Sequence, residues 1–411
     1  MNLGFLTKDL RISSRKFLAA ILLNSGTLAW FFLFIIFMPD IFEAITPNDP
    51  LWSAHQTGEI LFYAFAVLWS IIGSVIAVRI SRRKLLITSI LLGTFSMILV
   101  AIFQGTFFAA IYSFFLGMSL GLGLPSSMAL IGDYTDVEER ARVSGTVILG
   151  TFVIAFATIG VIGIFDLGIL GAVLLMAIVR LTSIFALVCD KCDGEGQKLT
   201  EKTRLPSGTY REFFFYLIPW VMFSITSCLA SNLIPAGMES PTMTTLRYVF
   251  IAVFGFMSGV VADRFGRKLP IIFGLIVLAS SFVLLGFFGV SETTVTIYLA
   301  ISGMAWGLFF VVFLAVPGDL SVSGSREKFY GIGYILPISI LFGFSSVPVP
   351  KIFPPGSESS FSQILSLITF LSIIPVLRAK ETLPELKIRE RRLKEHIEKV
   401  GKAVLESKKK E

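Results

Sequence analysis

Gly259-Val-Val-Ala-Asp263-Arg264-Phe-Gly266-Arg267-Lys268 places an acid, three bases and two glycines at the junction of two long apolar runs, 247–262 and 269–290. The same frame stands near the amino terminus as Ser74-Val-Ile-Ala-Val78-Arg79-Ile-Ser81-Arg82-Arg83, again between apolar runs. Bases 79, 82 and 83 recur as 264, 267 and 268, an offset of 185. Further out, Gly117-Met118 with Gly121 recurs as Gly303-Met304 with Gly307, Gly132-Asp133 as Gly318-Asp319, and Gly145 as Gly331, all at an offset of 186. Glycine is 35 of 411 residues, so this many matches at one spacing do not arise by chance. The chain repeats one plan twice. Register is lost between the first apolar runs of the two copies, because the connection at 40–55 is longer than its counterpart.

The copies are made of membrane spans. Hydrophobic residues form 55% of the chain, with 40 Phe, and charged residues only 15%, where a soluble domain carries about 25%. Mean hydropathy is +0.82. Runs of about 20 apolar residues suffice to cross the hydrocarbon. Twelve are predicted, at 17–39, 56–78, 85–103, 107–131, 144–165, 167–188, 213–236, 247–262, 269–290, 294–317, 330–350 and 359–377. They are too long and too uniformly apolar for barrel strands, so each is a helix that satisfies its own backbone. The expected architecture is an all-α membrane protein of twelve transmembrane helices in two pseudo-symmetric six-helix bundles, 1–188 and 213–378. A polar linker, 189–212, joins them, and a charged tail, 379–411, follows. In the tail Leu386, Leu393, Ile397, Val400 and Val404 fall near one helical face.

All of the 35 Lys and Arg residues except Arg180, Arg247 and Lys351 lie in the two terminal segments or in the even-numbered connections. This asymmetry sets both termini in the cytoplasm and the chain in the cell (inner) membrane as a multi-pass protein. It also accounts for the net charge of +7 without a nucleic-acid partner. The expected partners are the lipid bilayer and a small-molecule solute, with the chain a monomer. Cys189 and Cys192 form a lone C-x-x-C with no histidine nearby, which gives neither a metal site nor a disulfide framework. His55 and His396 lie far apart, on opposite sides, which disfavours an enzyme. No cofactor or metal is expected.

The Gly259–Lys268 segment resembles the G-x-x-x-D-R-x-G-R-K loop of the major facilitator superfamily, which joins helices 2 and 3 and, less strictly, helices 8 and 9. Here the second copy is intact. The first is worn, since Val78 replaces the acid and both glycines are serine. Tyr134-Thr-Asp136-Val-Glu138-Glu139-Arg140-Ala-Arg142-Val-Ser-Gly145 is similar to the family's loop between helices 4 and 5, and Glu381-Thr382-Leu383-Pro384-Glu385 to the segment beyond helix 12 in sugar and organic-acid porters. Ser113 stands where many members carry an arginine, and the glycine-proline pattern of helix 5 in drug/proton antiporters is missing. Both departures weaken a drug-export reading.

The resemblance implies a secondary active or facilitative transporter working by alternating access. A drug or amphiphile exporter, or a transport-inactive sensor on the same fold, remain alternatives. It implies a cytoplasmic gate of Asp263, Arg264, Gly266, Arg267 and Lys268 with Arg79, Arg82, Glu138 and Glu139. Asp263 would dock on the start of helix 5 near Ser144 and Gly145, where a helix offers unpaired N–H groups and partial positive charge. Arg264, Arg267 and Lys268 would meet Glu138, Glu139 or Glu327. Val78 would leave the symmetric latch missing. An extracellular gate would pair Asp166 with Arg247 and Glu59 with Lys351. The cavity would be lined by helices 1, 4, 7 and 10, with Asn24, Tyr112, Ser119, Tyr216, Trp220, Asn232, Tyr298 and Trp306 as candidates. Arg180 is the one charge well inside a span, about 12 Å of helix before Val188. A charge there is costly, which makes it a candidate partner for an anion. No Asp, Glu or His lies deep in the four lining helices, so coupling to a proton or ion stays open and facilitated diffusion is live.

Overall fold

The computed structural model describes residues 10–46, 56–189, 207–231, 233–234, 238, 240–322, 324–345 and 358–384. Among these the elements are helices and turns, with no strand. The linker at 190–206, the tail from 385, Asn232, Lys351, Cys192, His55 and His396 lie outside the described residues.

The amino-terminal half contains α1 (Ser14–Ile45), α2 (Gln56–Ile76), α3 (Arg82–Val100), α4 (Thr106–Tyr134), α5 (Arg140–Ile164) and α6 (Ile169–Thr182, resuming as Ile184–Cys189). The carboxyl-terminal half contains α7 (Thr209–Ser231), α8 (Pro241–Phe265), α9 (Lys268–Phe288), α10 (Glu292–Leu320), α11 and α12 (Glu358–Leu371, resuming as Ile373–Arg378). The halves are two six-helix bundles. Among the described residues, eleven helices are long and apolar enough to cross a membrane. The twelfth, α11, is broken into Arg326–Tyr330, a π-helical turn at Gly331–Ile335, and Leu336–Ser345.

Local chemistry sets the ends. Ser13, Ser240 and Ser291 cap α1, α8 and α10 by accepting from Lys16, Met243 and Thr294 N–H groups. α1 runs past Pro39 to Ile45, and α5 begins at Arg140 rather than at 144. The second shift matters, because it moves the exposed N–H groups of α5 to Ala141 and Arg142.

Outward faces carry large apolar side chains, among them Ile164, Val188 and Phe288. Such surface suits lipid and would be a liability in water. α1, α4 and α10 are the most deeply buried spans, whereas α7 is no more buried than α9. Between the halves α5 lies against α8. A Cβ on Gly145 would stand 3.2 Å from the Gly255 carbonyl, a tight contact, and one on Gly259 would stand 2.4 Å from the Ala141 carbonyl, an approach that glycine makes possible. Higher in the interface the contacts are aromatic. Phe32 of α1 meets Phe310 of α10 edge-on at 5.6 Å, Tyr63 of α2 stacks on Phe342 of α11 at 6.1 Å, and Phe152 of α5 stacks on Tyr248 of α8 at 5.9 Å.

Candidate functional site: two ionic clusters across the bundle interface

The basic end of the interface holds two clusters of buried charge, one per repeat. The first forms where α8 ends. Asp263 is 1% exposed. Its two oxygens accept from the Ala141 and Arg142 backbone N–H groups at 3.1 and 2.8 Å, and Arg142 Nε adds a contact at 3.3 Å. The acid therefore caps the first turn of α5 from the other half, where orphan N–H groups and the helix dipole favour an anion. It docks at Ala141 and Arg142, not near Ser144 and Gly145, because α5 starts earlier than its apolar pattern does. Gly145 instead serves the helix–helix approach.

Gly266, at φ 103°, turns the chain so that Arg267 folds back onto Asp263, with Nη1 to Oδ1 at 2.7 Å. Arg267 Nε also reaches Asp319 at the end of α10, at 3.0 Å, and its Nη2 donates to the Val137 carbonyl of the other half at 2.5 Å. Burial opposes the charge on Arg267, but Asp319 and Asp263 outweigh it and raise its pKa above the ordinary arginine value. Asp319 takes a second arginine, Arg140 of α5, at 2.6 Å. The segment beyond α12 closes the cluster. Glu381 accepts from the backbone N–H groups of Arg267 (2.7 Å) and Lys268 (3.2 Å), and Thr382 Oγ1 contacts Asp319 at 2.9 Å.

A second cluster bridges the halves on the side where Val78 stands in place of the acid. Arg82, 6% exposed, donates through Nε to Glu327 of α11 at 2.7 Å and pairs with Asp133 at the end of α4. Asp133 also pairs with Arg326 of α11. The repeat explains the arrangement: Arg82 corresponds to Arg267, Asp133 to Asp319, Arg140 to Arg326 and Ala141 to Glu327. Where the first copy lacks its acid at position 78, the facing helix supplies one at 327. The acid sits in the first turn of α11, which its own helix dipole favours.

Other candidates stand elsewhere. Glu139 accepts from the Arg11 backbone N–H at 2.6 Å and Glu138 lies 3.9 Å from the Arg11 guanidinium, so both hold the amino-terminal segment. Lys268 Nζ donates to the Leu377 and Ala379 carbonyls at 3.1 and 2.9 Å. Arg79 and Arg264 are exposed at the ends of their helices. At the opposite end Asp166, at φ 47°, and Arg247 form no ion pair, and Arg247 Nε has no partner among the described residues. Glu59 is buried in α2, and its expected partner lies outside the described residues.

Several cavity candidates have polar atoms already bonded within their own half, although Asn24 Oδ1 has no partner among the described residues. Tyr112 donates to the Leu99 and Phe103 carbonyls at 2.8 and 2.7 Å, closing the α3–α4 turn. Ser119 donates to the Ser89 carbonyl at 2.6 Å, and Tyr216 to the Lys380 carbonyl at 2.7 Å. Tyr298 packs 6.1 Å from Phe282 of α9. Asn24 Nδ2 donates to Ala20, one turn back, at 2.9 Å. Trp220 and Trp306 join a buried aromatic cluster: Trp220 stacks on Phe313 at 4.8 Å and meets Trp306 edge-on at 6.0 Å. Phe310 carries that cluster to Phe32 of the other half. Asp133, Asp319, Arg140 and Arg326, which complete the clusters, were not among the candidates expected from the sequence. Gly132-Asp133 and Gly318-Asp319 had already appeared in the repeat, and extending its offset would have paired the two arginines.

Comparison with known proteins agrees with this architecture. The family model described as Major Facilitator Superfamily matches residues 17–238. No curated protein matches the chain significantly. Among solved structures, the human organic anion transporter MFSD10 (TETRAN) is 15% identical with a TM-score of 0.67, over 88% of this chain and 99% of that one. A bacterial homologue of the iron transporter ferroportin, outward-facing with soaked iron, is 14% identical with a TM-score of 0.66, over 90% and 99%. At such identities the likeness is one of fold.

Proposed function

This chain belongs to the major facilitator superfamily, and from that premise we propose that it carries a small solute across the cell membrane by alternating access, with the two ionic clusters as its cytoplasmic gate. The single observation that carries this reading is the pairing itself. Buried acids and bases from both bundles join at one end of the interface, while Asp166 and Arg247 at the other end stay apart. The basic end faces the cytoplasm by the distribution of Lys and Arg, and both termini lie there. The arrangement corresponds to a transporter shut towards the cytoplasm. Opening would separate Asp263 from the start of α5 and Arg82 from Glu327.

A carrier also needs a central surface for its solute. Phe32, Phe310, Trp220, Trp306 and Tyr334 supply rings, and the Trp220, Trp306 and Tyr334 polar atoms have no hydrogen-bond partner among the described residues. Such a surface suits a neutral or amphipathic solute that offers a few hydrogen bonds. The chain works as a monomer and needs no bound cofactor; solute flux runs down its own gradient unless coupled to an ion. The test is uptake in proteoliposomes across a panel of sugars, organic acids and hydrophobic amines. Saturable uptake of one class supports a carrier. Specific binding without flux would instead favour a sensor.

A further inference from the structure

Arg180 of α6 is 1% exposed, yet it takes no part in either gate cluster. It lies inside the amino-terminal bundle, enclosed by α1, α3 and α4. Its Nη1 donates to Thr27 Oγ1 at 2.7 Å, and Nη2 stands 3.4 Å from both Ser89 Oγ and Ser119 Oγ. The Trp30 ring lies 4.9 Å from the guanidinium carbon. No carboxylate among the described residues pairs with it, and its Nε–H has no acceptor. The other buried arginines differ: Arg82, Arg140 and Arg267 each face at least one carboxylate. Hydroxyl dipoles and an indole face solvate a cation but do not neutralise it, and an uncompensated charge at membrane depth is costly.

Its surroundings hold further unused donors. Ser183, one turn along α6, has a buried hydroxyl with no partner among the described residues, and Trp30 Nε1 likewise has none. Glycines let the facing helices close on these groups. A Cβ on Gly26 would stand 2.6 Å from Ser183 Oγ, and one on Gly93 3.3 Å from Arg180 Nε. Guanidinium, hydroxyl and indole N–H are all donors to anions. One uncompensated cation calls for one negative charge.

We propose that Arg180 holds a small monovalent anion as its counter-charge in the core of the amino-terminal bundle, with Ser183 and Trp30 as supporting donors. The ligand is a halide or the carboxylate of a small organic acid. The proposal stands apart from the transport reading, because the enclosing helices belong to one half and the occupant is not required to move.

The test uses the purified full chain in detergent, exchanged into sodium gluconate and titrated at constant ionic strength with sodium bromide or sodium formate while the melting temperature is read. At least one of these anions should raise it saturably, whereas gluconate should not. A response to bromide alone assigns the site to inorganic halide, and one to formate alone assigns it to a carboxylate. Arg180→Met should abolish the response. Ser183→Ala should move its midpoint several-fold to higher concentration. No response to either anion, or one that persists in Arg180→Met, overturns the proposal. If Arg180→Met does not fold, an unmoved midpoint in Ser183→Ala does the same.

Discussion

The carboxyl-terminal cluster ties the halves through an acid set against a backbone, whereas the amino-terminal cluster ties them through an acid set against a side chain. Asp263 caps the start of α5 from outside, bonding N–H groups that exist whatever residues stand there. Glu327 belongs to the helix that starts at the same place in the other copy, and it reaches back to Arg82. Both clusters keep one arginine between two acids: Arg267 between Asp263 and Asp319, Arg82 between Asp133 and Glu327. The interface thus preserves the charge complement while letting the acid change sides. A motif read by position registers only a loss at Val78.

The largest effect is expected from Asp263→Asn. It removes an anion from two backbone donors and leaves Arg267 and Arg142 short of a partner. Breaking a buried pair from one side costs about 3–5 kcal/mol, part of which water recovers once the gate opens. The remaining bias, about 2–3 kcal/mol, would move the equilibrium roughly 30- to 150-fold towards the cytoplasm-open form. Cysteine labelling from the cytoplasmic side reads it directly. Unchanged labelling would mean that Asp263 is a packing residue.

Glu327→Gln should act in the same direction but more weakly, by about 1–2 kcal/mol, since Asp133 still neutralises Arg82. An effect larger than that of Asp263→Asn would invert the ranking of the two clusters. The comparison is sharpened by moving the acid back. Glu327→Ala should weaken the gate, and adding Val78→Asp should restore part of it, because position 78 corresponds to 263 and Ala141 corresponds to 327. A double variant no better than Glu327→Ala would show that the two acids are not interchangeable. The smallest effect is expected at the opposite end. Asp166 and Arg247 are apart here, so Asp166→Asn should leave this state unchanged and alter only the one closed on that side, by less than about 1 kcal/mol. A double-mutant cycle with Arg247→Gln on transport measures it.

Fold and site were legible in the sequence to different depths. The spans and the repeat could be read because both are patterns along the chain: twenty-residue apolar runs, and glycine–acid pairs at a fixed offset. The facing of side chains is a property around each helix. The spans are apolar over nearly their whole circumference, so no stripe marks an inner face. Tyr112, Ser119 and Tyr216 could therefore be assigned to their helices but not to their neighbours. Each bonds a backbone carbonyl inside its own bundle. Arg180 could be singled out by charge alone, but its neighbours Thr27, Ser89 and Ser119 come from three other helices. The acidic partners of Arg82 are separated from it by 51 and 245 residues. Only the two-fold repeat, applied to the loop charges as well as to the glycines, would have brought them together.

The central claim is that both clusters shut the same side. Spin labels at Arg79→Cys and Arg264→Cys span the halves at the basic end, and labels at Phe165→Cys and Thr245→Cys span them at the other. Pulsed dipolar distances in the Asp263→Asn, Glu327→Gln double variant should lengthen for the first pair and shorten for the second relative to the unsubstituted background. Distances that stay fixed, or that change in the same direction at both ends, would contradict the two-gate mechanism.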